Sequence, residues 1–246
     1  MKQKIVSMLV VLLTLVGTVI PVQAVATQGD VVFVIDESGS MGPDIAAVTA
    51  NAALIFTNLQ GAGDFKVGLV GFGGFGANPR VVVPVTNSQA AFVAGLNTLA
   101  GSGGFQPGFE ATILATSGQM GLRSGVASCT ILITDEDADD PANKAAAIAA
   151  LNGRPSVFLG IFDPTFAGTE VADYGMVSGL AGATGGAVFD LSAFEADPSG
   201  VLTTVLNTCK TNIPPPPTGI PEFPSIVLPI GAALGMMMLV SRRREN

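Results

Sequence analysis

The chain has 246 residues, 48% of them hydrophobic and 12% charged, with a formal net charge of −8 and no histidine. Between Val25 and Thr218 six basic residues face seventeen acidic ones, a balance that argues against nucleic acid, because phosphate neutralisation needs clustered Lys and Arg. The missing histidine removes Ser-His-Asp and Cys-His nucleophiles and histidine metal sites.

Residues 1–24 carry Lys2 and Lys4, an apolar run from Ile5 to Ile20 and then Pro21-Val22-Gln23-Ala24, the pattern of a secretory signal peptide cleaved after Ala24. An uncleaved membrane anchor is the alternative. The next run, Val31-Val32-Phe33-Val34-Ile35, is continuously apolar and mostly β-branched, which predicts a strand buried on both faces of a parallel sheet. It ends in Asp36-Glu37-Ser38-Gly39-Ser40-Met41, where Asp36, Ser38 and Ser40 place three oxygen donors at alternate positions and Gly39 permits a tight turn. Pro43 then suits the first turn of a helix, since its missing N–H has no intrahelical partner there. Ile45, Val48, Ala52, Ile55 and Leu59 continue that helix as one apolar stripe ended by Gly61-Ala62-Gly63.

One carboxylate with two hydroxyls suits a hard divalent cation such as Mg²⁺, which takes oxygen ligands. The strand, the Asp-x-Ser-x-Ser run and the following Met-Gly together resemble the metal-ion-dependent adhesion site of von Willebrand factor type A domains. The resemblance implies direct contact of the metal with Ser38 and Ser40 and contact through water for Asp36.

Phe65–Phe72 predicts a second strand, Gly73–Asn78 a turn into Val81-Val82-Val83, and Asn87-Ser88 a cap for a helix through Phe92, Val93, Leu96 and Leu99. The loop 101–107 precedes a helix through Glu110, Ile113 and Leu114. The type A family places its third metal motif here, with Thr or Asp after a Gly-Gly pair. This chain has Phe105 and Gln106 after Gly103-Gly104, which leaves the Gln106 amide oxygen, the Ser102 hydroxyl or a water as the substitute, or a loop that only turns the chain.

Thr130-Ile131-Leu132-Ile133-Thr134-Asp135 repeats the opening pattern, a buried strand ending in a carboxylate, and resembles the family's second Asp motif. Parallel winding would bring Asp36 and Asp135 to the same edge of the sheet, where ligands bind in open α/β folds. The acids 135–140 do not form an EF-hand: Asp140 stands where Gly is needed and Ala146 where Glu is needed, so they read as a solvated rim or a weaker Ca²⁺ site. A helix over Pro141–Leu151, a strand at 157–162, a helix over Val171–Ala183, a short strand at Ala187–Asp190 and a last helix over Pro198–Thr208 complete the alternation. The expectation is one α/β domain over residues 29–209, a doubly wound, mostly parallel sheet with helices on both faces, Rossmann-like as in the type A family.

Cys129 and Cys209 are the only cysteines, and in an exported chain the pair suits a disulfide, with two buried thiols as the alternative. Residues 210–220 include Pro214-Pro215-Pro216-Pro217, a stiff spacer. Residues 221–246 hold Pro221-Glu222-Phe223-Pro224, an uncharged stretch from Phe223 to Val240 and Arg242-Arg243-Arg244, a segment near the lower length limit for a membrane span. This tail resembles the PEF-CTERM sorting signal of archaeal surface proteins, which implies processing by an archaeosortase-like enzyme and exchange for a lipid anchor; a plain membrane anchor is the alternative.

The expected function is a non-enzymatic adhesion or protein-binding module outside the cell, tethered to the membrane. Mg²⁺, Ca²⁺ or Mn²⁺ held by Asp36, Ser38, Ser40, Asp135 and Gln106 would bridge to an exposed acidic residue of a surface or extracellular protein. The competing expectations are a structural cell-envelope protein whose metal only fixes a loop, and a hydrolase using Glu37 with Glu136 as acid and base.

Overall fold

A computed structural model describes residues 27–74, 76, 79–99, 101–163 and 170–213. The expected signal peptide, most of the proline spacer and the whole C-terminal tail lie outside these residues.

Six strands form one sheet in the order β3-β2-β1-β4-β5-β6: β1 Thr27–Asp36, β2 Gly63–Phe72, β3 Arg80–Thr86, β4 Ser128–Ile133, β5 Ser156–Phe162 and β6 Ala187–Asp190. All neighbours are parallel except β2 and β3, so β3 is an antiparallel edge. β1 lies at the centre, with Ile35 opposite both Gly71 of β2 and Ile133 of β4. Its apolar run is explained by that position: Val31, Phe33 and Ile35 enter one core layer, and Val32 and Val34 the other.

Nine helices are described: α1 Gly42–Ala50, α2 Ala52–Gln60, α3 Gln89–Leu96, α4 Gly108–Thr116, α5 Lys144–Asn152, α6 Glu170–Tyr174, α7 Leu180–Thr184, α8 Leu191–Ala196 and α9 Pro198–Asn212. On the first face, Val48, Ile55, Phe56, Phe92, Phe194 and Leu206 pack on the sheet, with Phe92 ringed by Phe33 and Phe56 at centroid distances of 5.5 and 5.8 Å. On the second face Phe109, Ala147, Leu151, Tyr174 and Leu180 close the other layer.

Several boundaries differ from those expected. The helix through Ile45 and Leu59 breaks at Asn51, whose side-chain amide donates to the Ala47 carbonyl at 2.9 Å and competes with the helical ladder. The helix expected over 171–183 is two short ones, because Gly175 and Gly179 interrupt it and a Cβ at Gly179 would run into the Gly175 backbone. Pro141–Asn143 is a single 3₁₀ turn ahead of α5. The last helix continues to Asn212, and α8 forms where no helix was expected, capped by Asp190 Oδ1 accepting from the Ser192 and Ala193 amides.

Cys129 of β4 and Cys209 of α9 form a disulfide across a separation of 80 residues, with Cα atoms 5.8 Å apart. It fastens the last helix to the centre of the sheet. Near the start of β1, buried Asp30 accepts from Arg123 Nε at 2.8 Å and from the Arg123 backbone amide at 2.7 Å, while Arg123 Nη1 reaches Asp64 at 2.7 Å. Ile213 packs on the same end, where a Cβ on Gly29 would lie 2.7 Å from Ile213 Cδ1. The described chain therefore starts and ends at the base of the sheet, opposite the carboxyl ends of its parallel strands.

Candidate metal centre

At the carboxyl end of β1 the chain turns over Asp36. Asp36 is fully buried, and both its oxygens accept hydrogen bonds: Oδ1 from the Ser38 amide at 2.7 Å, Oδ2 from the Thr134 hydroxyl at 2.8 Å. Ser38 is buried and Ser40 exposed, and their hydroxyl oxygens stand 3.3 Å apart. Gly39–Met41 is a 3₁₀ turn leading into α1, closed by the Met41 amide donating to the Ser38 carbonyl at 3.2 Å. Thr134 couples the two strand ends, since its hydroxyl also accepts from the Glu136 amide at 3.1 Å. Asp135 follows directly, half-buried, with Oδ1 shielded from solvent and without a hydrogen-bond partner.

Asp36, Ser38, Ser40 and Asp135 thus meet at one end of adjacent strands. Among the described residues no group of three or more Asp, Glu, His or Cys side chains forms a metal cage. The set here is two carboxylates and two hydroxyls, which suits an oxygen-seeking cation that retains water ligands. Burial raises the Asp36 carboxyl from 3.8 to about 6, against the lowering effect of its bonds from Ser38 and Thr134, and the Asp135 charge adds to the rise. An arrangement that holds a buried carboxylate ionised at a cost near neutrality, with a neighbouring carboxylate oxygen unpartnered, is one that a cation would relieve.

Gly73, at φ +78°, arches over this site, and a Cβ there would stand 2.6 Å from Asp36 Oδ1. The loop 101–107 is the third wall. Buried Gln106 is joined to the acidic loop by its backbone amide donating to Asp139 Oδ2 at 2.8 Å and by its carbonyl accepting from the Asp139 amide at 2.9 Å. The side-chain amide, oriented by its hydrogen-bond network, donates to Glu136 Oε2 at 3.3 Å and Asp139 Oδ2 at 2.8 Å. Gln106 therefore serves first as a clamp between two loops. Ser102 is half-buried and Phe105 exposed.

Asp44 was not singled out by the sequence, and Glu37, Asp140 and Thr134 take roles there that the sequence did not assign them. Asp44, in the first turn of α1, is buried with Oδ1 unpartnered, and burial together with the Glu195 and Asp135 charges raises it to about 6. Glu37 is buried and paired with Arg80 at 2.7 Å, which ties the first loop to edge strand β3. Asp140 caps α4 by accepting from the Phe109 and Glu110 amides at 3.1 and 2.8 Å. Only Thr134 carried a local signal, standing just before an Asp at a strand end; the other partners are set by tertiary contacts.

A sequence profile of the von Willebrand factor type A domain matches residues 30–203. The chain belongs to the von Willebrand factor type A domain family. A second profile, the PEF-CTERM archaeal protein sorting domain, matches residues 220–245 and implies an exported, surface-anchored type A domain. Comparison with curated proteins yields no match. Among solved structures, the PilB minor pilin from Streptococcus sanguinis is similar at 15% identity and a TM-score of 0.55, over 78% of this chain and 63% of the pilin. A von Willebrand factor type A structure from Catenulispora acidiphila is 20% identical, with a TM-score of 0.53, over 73% of this chain and 43% of that one. Proximal thread matrix protein 1 from the mussel byssus is 16% identical, with a TM-score of 0.54, over 75% and 48%. At these identities the likeness establishes the type A fold alone, and the chain spans about two-fifths to two-thirds of the length of those structures.

Proposed function

We propose that this type A domain is a metal-dependent adhesion or protein-binding module displayed at the cell surface. Asp36, Ser38, Ser40 and Asp135 would hold Mg²⁺, or Ca²⁺ or Mn²⁺, and the Gln106 amide oxygen or Ser102 hydroxyl is the candidate for a further ligand. When bound, the cation supplies an open coordination position for an acidic oxygen of a surface or extracellular partner. The observation that carries this reading is the convergence of buried Asp36 with the unpartnered Oδ1 of Asp135 beside a pair of serine hydroxyls. The residues themselves divide the work: Thr134 and the Ser38 amide orient Asp36, Gly73 leaves room above it, and Gln106 with Asp139 holds the third wall.

The alternative, a cation that only braces the loops of an envelope protein, fits less well, because Gln106 and Asp139 already join those loops through hydrogen bonds that need no metal. The location of Thr27 and Ile213 at the opposite end supports an outward-facing crevice, with the tether and a processing archaeosortase-like enzyme on the membrane side. Among the described residues no helix is long and apolar enough to cross a membrane, and the expected span at 223–240 lies outside them. Capture of surface proteins by the immobilised chain in Mg²⁺ and in EDTA tests the function: binding abolished by EDTA and by Ser38→Ala supports it, and binding indifferent to both overturns it.

A further inference from the structure

The cations of this domain are distributed unevenly between its two ends. Among the described residues, Lys66, Arg123, Arg154 and Lys210 all lie at the base. Lys66 stands opposite Asp30 in the β1–β2 register, Arg123 binds Asp30, Arg154 donates to the Arg123 carbonyl, and Lys210 follows the cysteine bridged to β4. At the crevice end the cationic side chains are Arg80 and Lys144, and both are engaged. Arg80 pairs with Glu37 at 2.7 Å, and Lys144 donates to the Ala172 carbonyl and lies 3.9 Å from Asp173.

Around them the acidic side chains of Glu110, Glu136, Asp137, Asp139 and Glu195 are exposed. Phe105, 46% exposed on the third wall, offers an aromatic face at the same rim.

A partner of uniformly acidic surface would gain one contact at the cation and meet repulsion at each flanking carboxylate. At physiological ionic strength charges closer than about 8 Å are not effectively screened, so a partner carboxylate seated beside any one of these side chains is repelled by it. Lysine or arginine side chains around the bridging carboxylate reverse the sign of each flanking contact, and one of them stacks on Phe105 as a cation on an aromatic face. Resting on the metal-site reading above, we propose that the partner of this crevice presents a single carboxylate set in a lysine- or arginine-rich protein surface.

The test uses the full chain in detergent and three synthetic peptides: a lysine-rich peptide with one central Glu, the same peptide with Gln, and a Glu/Asp-rich peptide. Each is titrated in Mg²⁺ and in EDTA, at 50 and 500 mM salt. The proposal expects the basic Glu peptide to bind at least tenfold more tightly than the acidic one in Mg²⁺ and low salt. The gap should shrink in high salt, and the Gln peptide should lose the Mg²⁺-dependent part. The combined variant Glu110→Gln/Asp137→Asn/Glu195→Gln should narrow the gap severalfold while a parallel titration still shows saturable Mg²⁺ binding. Mg²⁺-dependent binding of the acidic peptide equal to that of the basic one overturns the partner inference and leaves the metal reading standing. Binding of the basic Glu and Gln peptides alike in Mg²⁺ and EDTA overturns both.

Discussion

Replacing Asp36 by Asn should stabilise the metal-free protein at neutral pH, although it removes a residue at the heart of the site. Asp36 has a folded-state pKa of about 6 against 3.8 in the unfolded chain. A carboxyl raised in this way contributes stability that is fully present below pH 3.8 and is lost as pH rises through about 6. The rise corresponds to about 3 kcal/mol of cost for keeping the group ionised at pH 7.5. Asparagine carries no charge, keeps an oxygen for the Ser38 amide and presents an N–H to the Thr134 hydroxyl, which can turn to accept it. With allowance for imperfect geometry in the exchanged bond, Asp36→Asn should be more stable than the wild type by about 1–3 kcal/mol at pH 7.5 in EDTA. The difference should shrink toward zero or reverse near pH 4. Mg²⁺ at about a hundred times its dissociation constant adds about 2.7 kcal/mol to the wild type alone and cancels or inverts the order. Urea unfolding followed by circular dichroism at both pH values, with and without Mg²⁺, measures all four quantities. A variant less stable than the wild type by the same amount at pH 4 and pH 7.5 would refute the argument that burial strains the Asp36 charge.

Other perturbations reach separate parts of the account. Removing the disulfide with Cys129→Ala/Cys209→Ala opens a cross-link spanning 80 residues, for which loop-closure entropy gives about 4.5 kcal/mol, and the thermal midpoint should fall by about 9–18 °C; reduction of the wild type should produce the same loss. Gly73→Ala places a methyl group 2.6 Å from Asp36 Oδ1 at a φ of +78°, so Mg²⁺ affinity should fall at least tenfold and stability by about 1–3 kcal/mol, as read by calorimetry and urea unfolding. Arg123→Ala leaves the fully buried Asp30 without its cationic partner and should cost about 3–5 kcal/mol at pH 7, measured by urea unfolding, with any surviving folded protein binding Mg²⁺ normally because the pair lies at the opposite end of the sheet.

The fold was legible wherever one local pattern decided the outcome. The run Val31–Ile35 could only be a strand buried on both faces, and the matching run at 130–133 ending before Asp135 placed both carboxylates at one end of a parallel sheet. Helix breaks were not legible at Asn51 or at Gly175 and Gly179, since the apolar stripe runs through them while a side-chain amide and close backbone packing decide otherwise. α8 was missed because Leu191–Ala196 is too short for a periodic signal and depends on its Asp190 cap. Within the site, Asp36, Ser38, Ser40 and Asp135 could be read from strand ends. The clamp by Gln106 joins residues about thirty positions apart, and Asp44 matters through its burial near the charges of Glu195 and Asp135; neither leaves a local trace.

Isothermal titration of Mg²⁺ into the wild type, Ser38→Ala and Asp135→Asn at pH 7.5 reaches the central claim most directly. The account predicts a saturable site in the wild type, weakened at least tenfold by either substitution, with both variants still folded by circular dichroism. Identical isotherms for all three proteins would contradict it, because they would place any bound cation away from the crevice where β1 and β4 end.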